Sequence, residues 1–428
     1  MDRRSFLRLG LLGAGGFALA PRWLGYAVPN AWAADGPYGA LLAADTNGIQ
    51  LPAGFTSRVV ARSGQAVGGT GYVWHTAPDG GACFAVAGGG WVYASNSEVG
   101  TGGGGVSAVR FGTDGTVNGA YRVLSGTNRN CAGGRTPWGT WLSCEEVADG
   151  QVWECDPQGV NAAIVRPAMG RFNHEAAAVD PVGQVVYLTE DQPDGRLYRF
   201  RPTVWPDLGA GALEVATVSG STVTWSPVPD PDGSPTATRY QVANSSAFNG
   251  GEGAWYADGK VWFTTKGDNK VWELNVAASP QSIRVIYDVT TSPNPILTGV
   301  DNVVGSVSGD LFVAEDPGNL ELVMIEPSGG VSAFLRVVNQ SGSELTGPAF
   351  DPSGTRLYFS SQRGPNGTGT GVTYEVSGPF RTTTIPTTTS TSTSTTTSTS
   401  TTSTTIKPTT TTVAPTTSTT KRKGPKPR

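Results

Sequence analysis

The residues best suited to chemistry in this chain sit at the ends of apolar hairpins. Six stretches share one plan: a polar residue, an apolar strand, a turn, a second apolar strand and another polar residue. They are Cys83–Glu98 (CFAVAGGGWVYASNSE), Cys131–Glu145 (CAGGRTPWGTWLSCE), Glu175–Glu190 (EAAAVDPVGQVVYLTE), Glu252–Lys266 (EGAWYADGKVWFTTK), Asp301–Glu315 (DNVVGSVSGDLFVAE) and Gly347–Gln362 (GPAFDPSGTRLYFSSQ). In an antiparallel hairpin the start of the first strand lies beside the end of the second, so each stretch brings its two ends to one sheet edge. Six such edges around an axis make a ring carrying Glu98, Cys131, Glu145, Glu175, Glu190, Glu252, Asp301 and Glu315. Carboxylates crowded in one mouth repel one another unless cations neutralise them. The chemistry this pattern suggests is metal binding.

The elements needed to hold such a ring are legible too. The hairpins recur at intervals of roughly 45–50 residues, with one longer gap between the third and fourth, the mark of propellers or solenoids. Further strands follow several hairpins: QVWECDP, RLYRFRP, KVWELN and LELVMIEP. Thr203–Ser245 reads as an insertion in the third unit, and GFTSRVVARSG (Gly54–Gly64) as a strand that completes the last unit and closes the circle. With 59 Gly, 30 Pro and 15% charged residues, the composition suits a turn-rich all-β domain. The expected fold is a six-bladed β-propeller over residues 34–380, one domain with no internal linker.

Both ends are expected to lie outside it. Residues 1–33 carry Arg3-Arg4-Ser5-Phe6-Leu7, a short Gly-containing apolar run and Ala31-Trp32-Ala33, which together read as a twin-arginine export signal with its cleavage site. That run is too short and Gly-rich to span a membrane well. Residues 381–428 turn to Thr, Ser and Pro and end in KRKGPKPR, the composition of a disordered tail. Its basic end suits an anionic cell wall, or serves solubility alone. The expected location is secreted or wall-associated, the expected state a monomer.

The whole chain has 30 basic and 34 acidic residues; without residues 1–33 and 382–428, 20 basic stand against 33 acidic, a net of −13. Such a body does not favour nucleic acid as a partner. Two histidines, His75 and His174, exclude a His-rich zinc site, and neither a GxSxG elbow nor a P-loop occurs. His174, beside Glu175, suits a general acid or a hydrogen-bonded structural role. Cys144 and Cys155 are placed to form a disulfide or to remain core thiols, and Cys83 reads as a buried small hydrophobe. From position alone, Cys131 fits a soft ligand for iron or a structural cysteine equally.

Three segments carry a family resemblance. NCAGGRTPWGTWLSCEE (Asn130–Glu146), GRFNHEAAAVDP (Gly170–Pro181) and YLTEDQPDGRLYRF (Tyr187–Phe200) resemble signatures of the PhoX family of exported alkaline phosphatases, a likeness extending from Leu51 to Val376. It implies a six-bladed propeller whose mouth binds iron and calcium and which hydrolyses small phosphate esters. It also implies Cys131 as the iron ligand and Glu98, Glu145 or Glu146, Glu175 and Glu252 as carboxylate ligands; Asp301 and Glu315 come from the hairpin argument. One position departs from the pattern: Gly250 stands where the family places an arginine. Arg171 could supply that cation, or sit in a structural salt bridge. Two other classes remain open. One is a calcium-dependent lactonase or esterase using Asp301-Asn302 and Asn173; the other is a non-catalytic wall-binding protein.

Overall fold

Period-two alternation and Gly-rich turns yield strands throughout, and all six hairpins form. In the computed structural model, which describes residues 35–382 except Thr368, the helical content among the described residues is three single 3₁₀ turns. The export signal and almost all of the tail lie outside the described residues. The first strands of the hairpins are β1 (Pro78–Ala85), β2 (Asn130–Arg135), β3 (His174–Asp180), β4 (Gly251–Ala257), β5 (Val300–Gly305) and β6 (Leu345–Phe350). Each packs against the next, and β6 returns to β1. These six strands form a closed ring, and the other strands extend outward from it.

Five sheets result, all antiparallel. Behind β1 lie Trp91–Ser97, Gly104–Phe111 and Val117–Thr127; behind β2 lie Trp141–Glu145, Val152–Cys155 and Ile164–Val165. The β3 and β4 units each supply four strands to one nine-stranded sheet, joined through Thr222–Pro227 at the single pair Thr222↔Ser282. The stretch read as an insertion is therefore largely sheet. Asp207–Ser219 is the fourth strand of the β3 unit, because its alternating apolar residues pair with Leu197–Val204. Between Ala257 and Lys260 the two-residue turn Asp258-Gly259 has φ of 48° and 73°, the positive-φ pair a tight hairpin demands.

The circle is closed by the chain's beginning. Thr56–Arg62 pairs with Val372–Ser377 in the β6 sheet, and Ile49–Gln50 pairs with Val331–Val337 in the β5 sheet. Tyr38 and Phe55 from the start meet Phe380 from the end in edge-to-face contacts with Phe334, and Phe312 and Phe350 join them. Burying one such ring contributes about 1.5–3 kcal/mol, so this cluster is a strong clasp.

Candidate metal centre

The six-fold repeat is most regular where it carries polar side chains. In five hairpins the pairing register slips just after the first paired residue, and in the sixth just after the second, leaving two residues in a bulge: Asp79-Gly80, Cys131-Ala132, Glu175-Ala176, Glu252-Gly253, Asp301-Asn302 and Gly347-Pro348. A bulge re-aims the side chain it carries. Here it places Asp79, Cys131, Glu175, Glu252 and Asp301 at equivalent positions of the ring. Where the residue that follows is glycine, in the first and fourth hairpins, packing demands it. A Cβ on Gly80 would lie 2.5 Å from Ala132 Cα, and one on Gly253 would lie 2.5 Å from Val303 N.

A second tier comes from the return strands. Beyond each strand end, one residue donates its N–H back to the segment entering the ring: Glu98 to Ala77 O, Glu146 to Arg129 O, Asp191 to Asn173 O, Lys266 to Gly250 O, Asp316 to Gly299 O and Gln362 to Glu344 O. Neighbouring blades hold the bulges in place. Asn96 Nδ2 donates to Cys131 O (2.9 Å), Thr189 Oγ1 to Glu252 O (2.5 Å) and Thr264 Oγ1 to Asp301 O (2.5 Å).

Together these tiers form four overlapping groups whose ligand atoms lie within 4.8 Å of one another: Cys131–Glu146–Glu175, Glu175–Glu252–Asp301, Asp301–Asp316–Glu344 and Asp79–Glu98–Glu344. Both carboxylate oxygens of Glu175 are buried without a hydrogen-bond partner. Lys266 Nζ lies 2.8 Å from Glu252 Oε1, close enough for an ion pair though not aligned as a hydrogen bond. An unpaired buried carboxylate is costly. The donor set fits cations: hard oxygens throughout, with one thiol beside Glu146 and Glu175.

The electrostatics agree. Burial, then the charges of neighbouring carboxylates, pushes Asp79, Glu175 and Glu252 well above the usual carboxylate range. Burial lifts Asp301 to about 7 against the pull of Lys266, and burial with Glu98 lifts Glu146 to about 8. Glu344 is pushed up to about 11 by burial and Asp316, although Arg363 Nη2 lies only 2.8 Å away. Burial and the surrounding acids likewise raise the Cys131 thiol. Divalent cations at these groups would reverse that logic, favouring carboxylates and thiolate.

Of the residues chosen from sequence, Glu98, Cys131, Glu146, Glu175, Glu252 and Asp301 come together here. Glu145, Glu190 and Glu315 do not. Each ends its return strand, one residue short of the mouth, and is turned to structural use. Glu145 accepts from Asn128 N, Gln151 N and Trp153 Nε1; Glu190 accepts from Arg196 N, Tyr198 and Arg239; Glu315 accepts from Thr298 N and Glu321 N. Arg171 pairs with Asp232 at 3.5 Å. His174 is fully buried and stacks on Phe172 at 3.6 Å, with Nε2 3.0 Å from Gly170 O; burial holds it neutral, down to about 4. Cys144 and Cys155 are free thiols in two different core clusters, because they lie on opposite faces of their sheet. Sequence reasoning passed over Asp79, Asp316 and Glu344. Asp79 was hidden because the first hairpin begins at Pro78, five residues before Cys83; Asp316 needed only the one-residue shift that also selects Glu146 over Glu145.

Comparison with known proteins matches this site. A family model described as alkaline phosphatase PhoX matches residues 94–154 and 148–271, the stretch that supplies Glu98, Cys131, Glu146, Glu175 and Glu252. Over that stretch the chain is similar to the PhoX family. Among solved structures, Pseudomonas fluorescens PhoX in complex with vanadate, a transition state analogue, superposes on this chain with a TM-score of 0.65 at 17% identity, covering 79% of this chain and 97% of that one. A gluconolactonase from Xanthomonas campestris is similar at a TM-score of 0.43 and 15% identity, covering 80% of this chain and 99% of that one. A search of curated protein sequences finds no match. The all-β, propeller-like fold is thus shared with PhoX.

Proposed function

We propose that this chain is a metal-dependent phosphatase that hydrolyses small phosphate esters at the carboxylate mouth of a six-bladed propeller. Counting the β3 and β4 units of the nine-stranded sheet as separate blades gives that number. The observation that carries the reading is the pair of partnerless, buried oxygens of Glu175, shared between a thiol-containing group and an all-carboxylate group. Cys131, Glu146 and Glu175 would hold iron, for which a thiolate is a soft ligand. The other three groups, oxygen-only, would hold calcium. Cations bound there supply Lewis acidity toward phosphoryl oxygens.

The chain's own part is to fix these donors and to meet the anionic substrate. Gln362 Nε2 donates to Asp79 Oδ2 (2.6 Å) and Glu98 Oε2 (2.8 Å), which orients both carboxylates. Gly250, at φ 69°, offers no side chain to the substrate, and Arg171 is engaged with the Asp232 segment instead. Of the two Asn ligands of the lactonase reading, Asn302 is engaged elsewhere: its Oδ1 accepts from Gly347 N (2.6 Å) while Nδ2 donates to Asp301 Oδ1 (2.6 Å). Among the described residues no helix is long and apolar enough to cross a membrane. Export by the twin-arginine route, and wall association through the basic tail, complete the proposal.

The test is elemental analysis and turnover of protein exported by its own signal. Iron with calcium, plus hydrolysis of a phosphomonoester, is the expected result. Calcium alone with turnover of a lactone would favour the esterase reading. Turnover of neither would favour a binding protein.

A further inference from the structure

Three cations stand among the carboxylates, and their placement is as ordered as that of the acids. Arg129 lies 3.8 Å from Glu98 and 3.5 Å from Glu146. Lys266 lies 2.8 Å from Glu252, 3.7 Å from Asp301 and 3.1 Å from Asp316. Arg363 lies 2.8 Å from Glu344 and 3.9 Å from Asp316. Contacts run round the mouth from Arg129 through Glu146, Glu175 and Glu252 to Lys266, then through Asp316 to Arg363 and Glu344, and back through Asp79 and Glu98. The cations are spaced around this loop, and each bridges acids contributed by two blades, Arg129 and Arg363 two acids each and Lys266 three.

They also differ from the acids in depth. Glu252 and Glu344 are 2% and 5% exposed at the side chain, whereas Arg129, Lys266 and Arg363 are 51%, 32% and 37% exposed. The mouth therefore has a buried acidic floor beneath a solvent-facing basic rim. Divalent cations on the floor would remove the attraction that draws the three side chains inward and free their donors toward solvent. Lys266 is the best placed of them. It follows the return strand of the β4 unit, its N–H bonds Gly250 O (2.8 Å), and a Cβ on Gly250 would lie 3.8 Å from its own Cβ.

We propose that Arg129, Lys266 and Arg363 form a receptor for a dianionic phosphoryl group above the carboxylate floor, with Lys266 as its principal contact. The proposal rests on the phosphatase reading and deepens it by naming what binds the substrate's charge. A terminal phosphomonoester, with two negative charges and three oxygens, matches three converging cationic side chains better than a diester or a neutral lactone does.

The test uses the full, cation-loaded protein and inorganic phosphate as the calorimetric probe. Lys266→Gln should weaken phosphate binding by about 10- to 100-fold, as the loss of a charge-assisted hydrogen bond requires. Lys266→Arg should recover most of it, and Arg129→Gln and Arg363→Gln should each have a smaller effect. Metal content per molecule should stay at the parent value in all four. With an aryl phosphomonoester, KM should rise more than kcat falls.

Two results would overturn the receptor. One is phosphate affinity within roughly twofold of the parent in both Lys266→Gln and Arg363→Gln. The other is an added divalent ion in Lys266→Gln, which would make the lysine a built-in counter-ion for Glu252, Asp301 and Asp316. Parent protein that hydrolyses the ester while both Lys266→Gln and Arg363→Gln leave phosphate affinity and KM unchanged sinks the receptor and keeps the phosphatase. Parent protein that binds phosphate through Lys266 but turns over no ester sinks the phosphatase and keeps the receptor.

Discussion

Cys131 is the residue on which the choice of metal turns. Its thiol is raised by burial and by the charges of Asp79 and Glu175, so in metal-free protein it stays protonated. A transition metal would displace that proton. Cys131→Ser should therefore lose iron and keep most calcium. Cys83→Ser, changing a buried thiol in a hydrophobic cluster, should cost stability and leave the metal content of folded protein intact. Elemental analysis of both variants decides; full iron in Cys131→Ser would make that cysteine structural. Glu175 makes the complementary case, because its two oxygens lack protein partners. Glu175→Gln removes a buried charge that only cations compensate. Chelated Glu175→Gln protein should melt about 2–4 °C above the chelated parent for each kcal/mol relieved, yet gain less when calcium is restored. Equal calcium gains in the two proteins would show that Glu175 is not a ligand.

At the scale of the strand, bulge and alternation decide which carboxylates meet. Successive side chains of a strand point to opposite faces, so Glu145 and Glu146 cannot do the same work. Glu145 folds back on its own blade, while Glu146 reaches Cys131 and Glu175. The doublets Glu190-Asp191 and Glu315-Asp316 divide in the same way, and the shared backbone bond of Glu146, Asp191 and Asp316 shows why. Closeness of the inner strands sets a second constraint. A Cβ on Gly134 in β2 would sit 1.9 Å from Ala177 O of β3, and backbone cannot yield as a side chain can. Gly134→Ala should cost about 1–3 kcal/mol by overpacking, read as a lower denaturant midpoint. An unchanged midpoint would mean that the ring spreads freely.

For the whole molecule, closure and charge set stability. The clasp ends at Phe380 and Arg381, the latter ion-paired with Asp310 and Glu326. Removing residues 383–428 should leave the melting temperature unchanged, whereas Phe380→Ala should cost about 3–5 kcal/mol. A drop of several degrees on tail removal would contradict the first expectation. Two groups make opposite contributions to pH dependence. His75 is held neutral by burial, then by Arg122, down to about 3. Its folded value lies below its ordinary 6.5, so its contribution is present above that pH and lost as pH falls toward 3. Asp301 and Glu146 are raised to about 7 and about 8, so their contribution is present at acid pH and lost as pH rises through those values. Chelated protein should therefore lose melting temperature from these acids as pH rises from about 4 to about 8, offset below pH 6.5 by the gain from His75, and calcium should abolish that loss by binding the folded state. A flat profile after chelation would show that the acids are not coupled as the structure places them.

How much of this was written in the chain depends on the range of each interaction. Hairpins, turns and the acidic character of the mouth are local, fixed by alternation and by Gly and Asp at tight turns, and the sequence showed all six. Glu98, Cys131, Glu175, Glu252 and Asp301 were legible because each lies within two residues of a strand end. Asp79 and Glu344 were not, since their meeting joins the first blade to the last across most of the chain. The separation of the Cys144 and Cys155 thiols was decided by strand register within one sheet and the engagement of Arg171 by packing against the Asp232 segment, whereas the rim of Arg129, Lys266 and Arg363 was decided only by closure of the ring. Closure brings residues far apart in sequence to one axis, and no local pattern records which of them will face each other there.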